Sequence, residues 1–213
     1  VVTIHPYDHE QPIPEKAPFF CDGFKSLRER MKANGGAARI AITEVGWTTY
    51  DASAGAEHAY VGNYPAVTFA EQAQYLVRMY LLARQGGIEY TCQYDFRDDG
   101  PNPRNAEQNF GLVYHDCTPK PSFAAVAFLT RLLGPAEFGR DCSPEPKKYR
   151  VASFRRGGVP IYALWAVEGE RDIEIPSDVR GGFLFDLMGN RSDLGSRTKL
   201  TLTETPVYVV GNR

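Results

Sequence analysis

Residues 39–50 read RIAITEVGWTTY. An apolar run of β type, Ile40 to Ile42, meets one carboxylate, Glu44, and then the pair Gly46-Trp47. Side chains alternate along a strand, so Ile40, Ile42 and Glu44 fall on one face, and a carboxylate ends an otherwise apolar row. In a parallel barrel such rows fill the interior, and the last residue at the carboxyl end of a strand emerges at the mouth, where that fold performs its chemistry. Glu44 is thereby placed to act on a ligand. For an arbitrary glutamate a capping or solvated role is the commoner one, so its neighbours have to change the balance.

The chain around this stretch repeats one pattern. VVTIHPY ends a first β run with His5 and Tyr7 on one face, a Pro-rich loop follows, and DGFKSLRERMKANGG reads as a helix stopped by two glycines. After Glu44 comes a long loop and then TFAEQAQYLVRMYLLARQGG, with apolar residues at helical spacing, Thr68 as N-cap and Glu71 three residues on. Ile88 to Phe96 reads as a third strand, with Gln93 and Asp95 on one face and Tyr94 and Phe96 on the other. A loop and a helix at SFAAVAFLTRLLG complete it. Three successive strand-loop-helix units predict a parallel sheet with helices packed outside.

After Pro144 the texture changes to short alternating strands separated by Gly, Asn and Asp turns, such as KYRVASFRRGGVPIYALWAVEG and TKLTLTETPVYVVGN. The reading is therefore α/β plus all-β: an α/β part over residues 1–143 and a small antiparallel, sandwich-like part over 144–213. About 65 residues are marginal alone, so the second part should rest against the first.

Composition excludes several classes. With 24 Lys and Arg against 26 Asp and Glu, the net charge of -2 gives no electrostatic reason to bind nucleic acid. No run reaches the roughly 18 apolar residues of a membrane span. Four cysteines, widely spaced and without CxxC or Cys/His pairing, make a zinc site a poor fit. Cys92 reads as a buried apolar residue, and a disulfide between Cys117 and Cys142 stays open. Asp95, Asp98 and Asp99 lack the alternating spacing of a calcium loop, so a solvated acidic loop is expected there; Glu107 and Asp116 read as loop surface. The opening VVTIHPYDHE already reads as a strand, and the compartment stays open, secreted and periplasmic locations included.

A neutral, small polar ligand fits better. A Tyr hydroxyl donating to a carboxylate holds it ionised and aimed, and an indole such as Trp47 offers a flat apolar face to a sugar ring. Taken singly, His5 and Trp47 have ordinary structural readings; at three equivalent strand ends, with Gln93, Tyr94 and Asp95, they form one wall of a pocket.

The order HPY, ITEVGWTTY, QYDFRDDGPNPRNAEQNFGLVYHDCTPKPSFAAVAFL and a β region ending TPVYVVG resembles the carboxyl-terminal part of clan A glycoside hydrolases, particularly family 39. The resemblance covers most of the chain and implies the last three strand-helix units of a TIM (β/α)8 barrel followed by a small β-sandwich. It implies a retaining mechanism, O-glycosyl bond hydrolysis by double displacement, on a carbohydrate substrate and without metal or organic cofactor. By the same resemblance Glu44 matches the nucleophile, Tyr7 orients it, and His5 and Trp47 line the glycone site. Gln93 stands where many relatives carry a tryptophan.

The family's acid/base belongs to an Asn-Glu pair on the fourth strand, and no such dipeptide occurs here. The first five strands have no counterpart. The expectation is therefore a portion of a longer enzyme whose open sheet edge binds the missing amino-terminal barrel half or self-associates. The alternative is a catalytically incomplete carbohydrate-binding or scaffold remnant.

Overall fold

A computed structural model describes residues 1–54 and 64–212 of the chain. Two compact units divide it, Val1–Phe123 and Ala124–Arg213. This division falls earlier than the change of texture after Pro144. The short strand Glu137–Asp141 pairs with the strand that follows it, and the body of the preceding helix packs its Phe128 ring on Phe185 and Tyr208.

In the first unit β1 (Val2–Ile4) and β2 (Ile40–Ile42) pair in parallel, Val2 opposite Ile40 and Ile4 opposite Ile42. All three residues of β2 are buried, as expected of a strand covered on both faces. The expected third strand over Ile88 to Phe96 is much reduced: a single parallel bridge joins Ile42 to Thr91. The backbone nonetheless stays alongside β2, with Cys92 N–H donating to Ile42 O at 2.8 Å and Tyr94 N–H donating to Val45 O at 2.8 Å. Cys92 is exposed there rather than buried, and no disulfide joins Cys117 to Cys142.

Helices α1 (Asp22–Ala33) and α2 (Phe69–Gln85) stand where the 3.6-residue periodicity put them. α2 opens with a reciprocal capping box: Thr68 Oγ1 accepts from Glu71 N–H at 3.1 Å, and Glu71 Oε2 accepts from Thr68 N–H at 2.7 Å. Two buried groups fasten α2 to its surroundings. Arg78 pairs with Glu15 of the Pro-rich loop, and Gln72 donates to Trp47 O at 2.8 Å while accepting from Ser122 Oγ at 2.8 Å. α3 (Pro121–Leu133) follows.

The second unit carries α3's body and a six-stranded antiparallel sheet. In chain order its strands are β3 (Glu137–Asp141), β4 (Tyr149–Arg156), β5 (Val159–Ala166), β6 (Arg171–Glu174), β7 (Phe183–Phe185), β8 (Arg191–Asp193), β9 (Lys199–Leu202) and β10 (Val207–Val210). The order across the sheet is β3-β4-β5-β10-β7-β8, and β6 and β9 form a separate antiparallel pair. Gly157 and Gly158, both at positive φ, make the two-residue turn of the β4-β5 hairpin, whose register runs from Arg156 opposite Val159 to Tyr149 opposite Ala166. Val151, Leu164, Ile175, Val179, Leu194, Leu202 and Val209 form its core. The all-β texture of the sequence is thus realised as antiparallel sheets.

Candidate active site

Glu44 lies two residues beyond β2, and Tyr7 and His5 lie just beyond β1, so the parallel pairing brings all three to the same end. Tyr7 Oη donates to Glu44 Oε1 at 3.0 Å. His5 Nδ1 stands 3.7 Å from Glu44 Oε2, while its Nε2 lies 3.0 Å from Thr43 Oγ1. The Glu44 side chain is 37% exposed, enough to reach a ligand. Burial, and then the hydrogen bond and negative charge of Glu44, push the Tyr7 hydroxyl well above its ordinary range. The proton therefore stays on the phenol, and Tyr7 is a fixed donor.

An aromatic cluster backs this pair. Tyr7 meets Tyr64 at 5.4 Å and Phe110 at 6.2 Å between ring centroids, and Tyr94 meets Phe110 at 5.4 Å. Tyr94 Oη is turned to Asp99 Oδ2 at 3.0 Å. The close approach depends on Gly46, since a Cβ there would lie 1.8 Å from Tyr94 O and 3.2 Å from the Phe110 ring. Gly46 is thus where the chain after Glu44 passes against the chain after the bridge at Thr91.

The other expected residues are placed differently. Trp47 is only 9% exposed; its indole N–H donates to Pro12 O at 2.8 Å and its ring faces Tyr75 of α2 at 6.0 Å. It anchors the strand end, and what remains accessible of it lines a small pocket with Tyr7 and Tyr64. Gln93 spends its amide on Asp95 O at 2.6 Å. Asp95 Oδ1 is buried without a hydrogen-bond partner among the described residues. Burial, then the charges of Asp99 and Asp98, push its carboxyl up to about 7.

The acidic loop is not uniformly solvated. Asp98 is buried, its Oδ1 accepting from Lys120 Nζ at 2.7 Å and from Gly111 N–H at 2.8 Å. Lys120 also donates to Thr49 Oγ1 at 3.1 Å and Asn109 O at 3.2 Å. The ion pair thereby joins the loop after the bridge at Thr91 to the segment after Glu44. Among the described residues no group of three or more His, Cys, Asp or Glu side chains is arranged to hold a metal.

Glu107, read from the sequence as loop surface, is half-buried. It sits in a 3-10 turn, Ala106–Asn109, with its own N–H capped by Asn105 Oδ1 at 3.0 Å. Thr48 Oγ1 donates to Ala106 O at 2.6 Å and Thr49 N–H to Asn109 O at 3.1 Å, which fastens the turn to the segment following Glu44. Burial, then the negative charges of Asp99 and Glu44, raise its carboxyl, so it stands within electrostatic reach of Glu44. The Asn105 cap was the available signal that this turn is ordered.

No family model matches the sequence, and no curated protein matches it. Solved structures do. A family 39 glycoside hydrolase from the gut symbiont Bacteroides cellulosilyticus WH2 is 26% identical, with a TM-score of 0.70 over 89% of this chain and 38% of that one. A family 39 β-xylosidase from Caulobacter crescentus is 15% identical, TM-score 0.57, over 100% of this chain and 51% of that one. A β-porphyranase of family 86 from Bacteroides plebeius is 12% identical, TM-score 0.59, over 98% and 40%. The last two show likeness of fold. The chain matches part of a clan A glycoside hydrolase. It spans 38%, 51% and 40% of the length of these three chains, and its neighbours support a glycosidase-type function in general.

Proposed function

We propose that this chain carries the nucleophile of a retaining glycoside hydrolase, with Glu44 in that role and Tyr7 orienting it. The observation that carries the reading is the hydrogen bond from Tyr7 to a partly exposed Glu44 at the shared end of two parallel strands. In the first step the Glu44 carboxylate attacks the anomeric carbon and the glycosidic C–O bond breaks, the leaving oxygen taking a proton from a general acid. In the second, water attacks the glycosyl-enzyme ester, returns a proton to that same residue and releases Glu44. A retaining pair needs its two carboxyl groups roughly 5–5.5 Å apart, and the acid/base is assigned to a segment outside these 213 residues, folded against the β1 edge. Tyr7, which keeps its proton, donates to the Glu44 carboxylate before attack and again when the ester is released. His5 borders the same carboxylate, Glu107 feels its charge, and both are assigned to sugar hydroxyls; Trp47 contributes by holding the strand end.

Replacing Glu44 by Gln in the enzyme that contains this segment tests the role. An aryl β-xyloside is the first substrate, because one of the similar structures is a β-xylosidase. Turnover should fall by about 10⁴-fold or more while the melting temperature is unchanged; turnover equal to the parent's rules Glu44 out. The absence of an Asn-Glu dipeptide favours one second reading, a carbohydrate-binding remnant. That reading requires sugar binding with no bond cleavage by the 213-residue chain, and hydrolysis by that material excludes it.

A further inference from the structure

On the first unit a cleft of about 480 Å³, lined by none of Glu44, Tyr7 or His5, opens between the segment after Trp47 and the loop after Asp98. Its wall holds two exposed aromatic rings, Phe69 and Tyr114, in edge-to-face contact at 5.7 Å between centroids. Both rings are fixed from behind. The buried Lys120 ammonium lies 5.8 Å from the Phe69 centroid and 5.3 Å from that of Tyr114, and the same ammonium is locked by Asp98, Thr49 and Asn109. Phe69 is the first residue of α2, directly after the N-cap Thr68 and inside the capping box. Tyr114 begins a tight turn closed by its N–H donating to Thr118 O at 2.8 Å.

The rim is polar and acidic. Asp51 and Asp116 line it, together with His115 and Asn109. Asp51 N–H donates to Pro103 O at 2.7 Å, which ties the two walls together. Asp116 is exposed, and hydrogen bonds from Thr118 hold its carboxyl below the ordinary range, so it is ionised at neutral pH.

Rigid aromatic faces beside carboxylate acceptors suit a ligand with apolar C–H faces and many hydroxyl donors, and the ionised Asp116 repels an anion. The volume falls within the usual range of small-molecule sites, roughly 300–1,000 Å³. We propose that this cleft is a second carbohydrate-binding site, for an uncharged oligosaccharide, that holds a polymer on the protein independently of turnover at Glu44.

Affinity electrophoresis of the full chain tests it, in gels cast with xylan, a β-1,3-glucan, mannan or dextran. The parent and Glu44→Gln should be retarded alike in at least one of these gels, and Phe69→Ala/Tyr114→Ala should run at least tenfold weaker in apparent affinity. Should the double variant melt more than about 5 °C below the parent, Phe69→Leu/Tyr114→Leu keeps the apolar volume and removes the flat faces. Equal retardation of the aromatic variants overturns the proposal, as does free migration of the parent in all four gels. Loss of retardation in Glu44→Gln alone also overturns it, since the pocket at Glu44 is then the one that binds. A dimer of the parent that Phe69→Ala/Tyr114→Ala dissolves gives the face to a second copy and likewise overturns it.

Discussion

A carboxylate proposed as a nucleophile needs its direction controlled, and at Glu44 the Tyr7 hydroxyl, donating at 3.0 Å, supplies that control. Tyr7 lies 37 residues before Glu44 in the chain; parallel pairing of Val2 with Ile40 and of Ile4 with Ile42 brings it there. Asp95 shows the opposite situation, a carboxyl with neighbours of its own sign. Burial, then Asp99 and Asp98, raise it from 3.8 to about 7 against the opposing pull of Lys120. Between about pH 4 and 7 the folded chain therefore holds a proton that the unfolded chain has released. Stability falls as pH rises through that window and this contribution is constant above it. Asp95→Asn carries no charge at any pH. Its melting temperature should gain on the parent's as pH rises from 4 to 7 and keep that gain at pH 8. Parallel melting curves across the range would contradict the assignment.

At the scale of elements, the end of β2 depends on close approach. Gly46→Ala places a methyl group against the Tyr94 carbonyl and the Phe110 ring, and neither is the flexible end of a long side chain. Overpacking of this kind costs about 1–3 kcal/mol, occasionally more, or roughly 2–4 °C of melting temperature per kcal/mol in a chain of this size. Calorimetry should show that loss, and turnover in the complete enzyme should drop with it because the displaced segment follows Glu44 directly. A variant that melts with the parent shows that the strand ends yield freely. The sequence made α1, α2 and α3 legible through periodicity and caps; alternation put Tyr7 and Glu44 each at a strand end, and their pairing came from the family resemblance. It did not make Asp98 legible. The charge that buries Asp98 is Lys120, 22 residues further on and beyond a turn, and local composition reads three aspartates in five positions as solvated. Trp47 was hidden for a similar reason: its indole partner, Pro12, lies 35 residues away, whereas the motif alone suggested an open face. The third strand shrank to a bridge because only its first residues run beside β2; beyond Cys92 the backbone turns to Val45 and then Val113 for its hydrogen bonds.

At the scale of the molecule, the parallel sheet is the unfinished element. Among the described residues β1 pairs with β2 alone, so its other edge presents backbone donors and acceptors with no strand beside them. Val1 and Phe19 are exposed, and a cleft lined by Ile4, Pro18, Phe24 and Leu27 opens nearby. Exposed strand edges flanked by apolar side chains pair with whatever strand is offered. A 213-residue polypeptide of 23.8 kDa prepared alone should therefore elute, at micromolar concentration, with a light-scattering mass at least twice that value. Material purified with a companion polypeptide should instead give a one-to-one complex, and aryl glycoside turnover should follow that peak rather than the self-associated one, if the second carboxylate comes with the companion as proposed. A monomer at 23.8 kDa across the concentration range means that the β1 edge is satisfied from within the chain, and the partner carboxylate is then to be sought at Glu107, whose carboxyl is raised in part by the charge of Glu44.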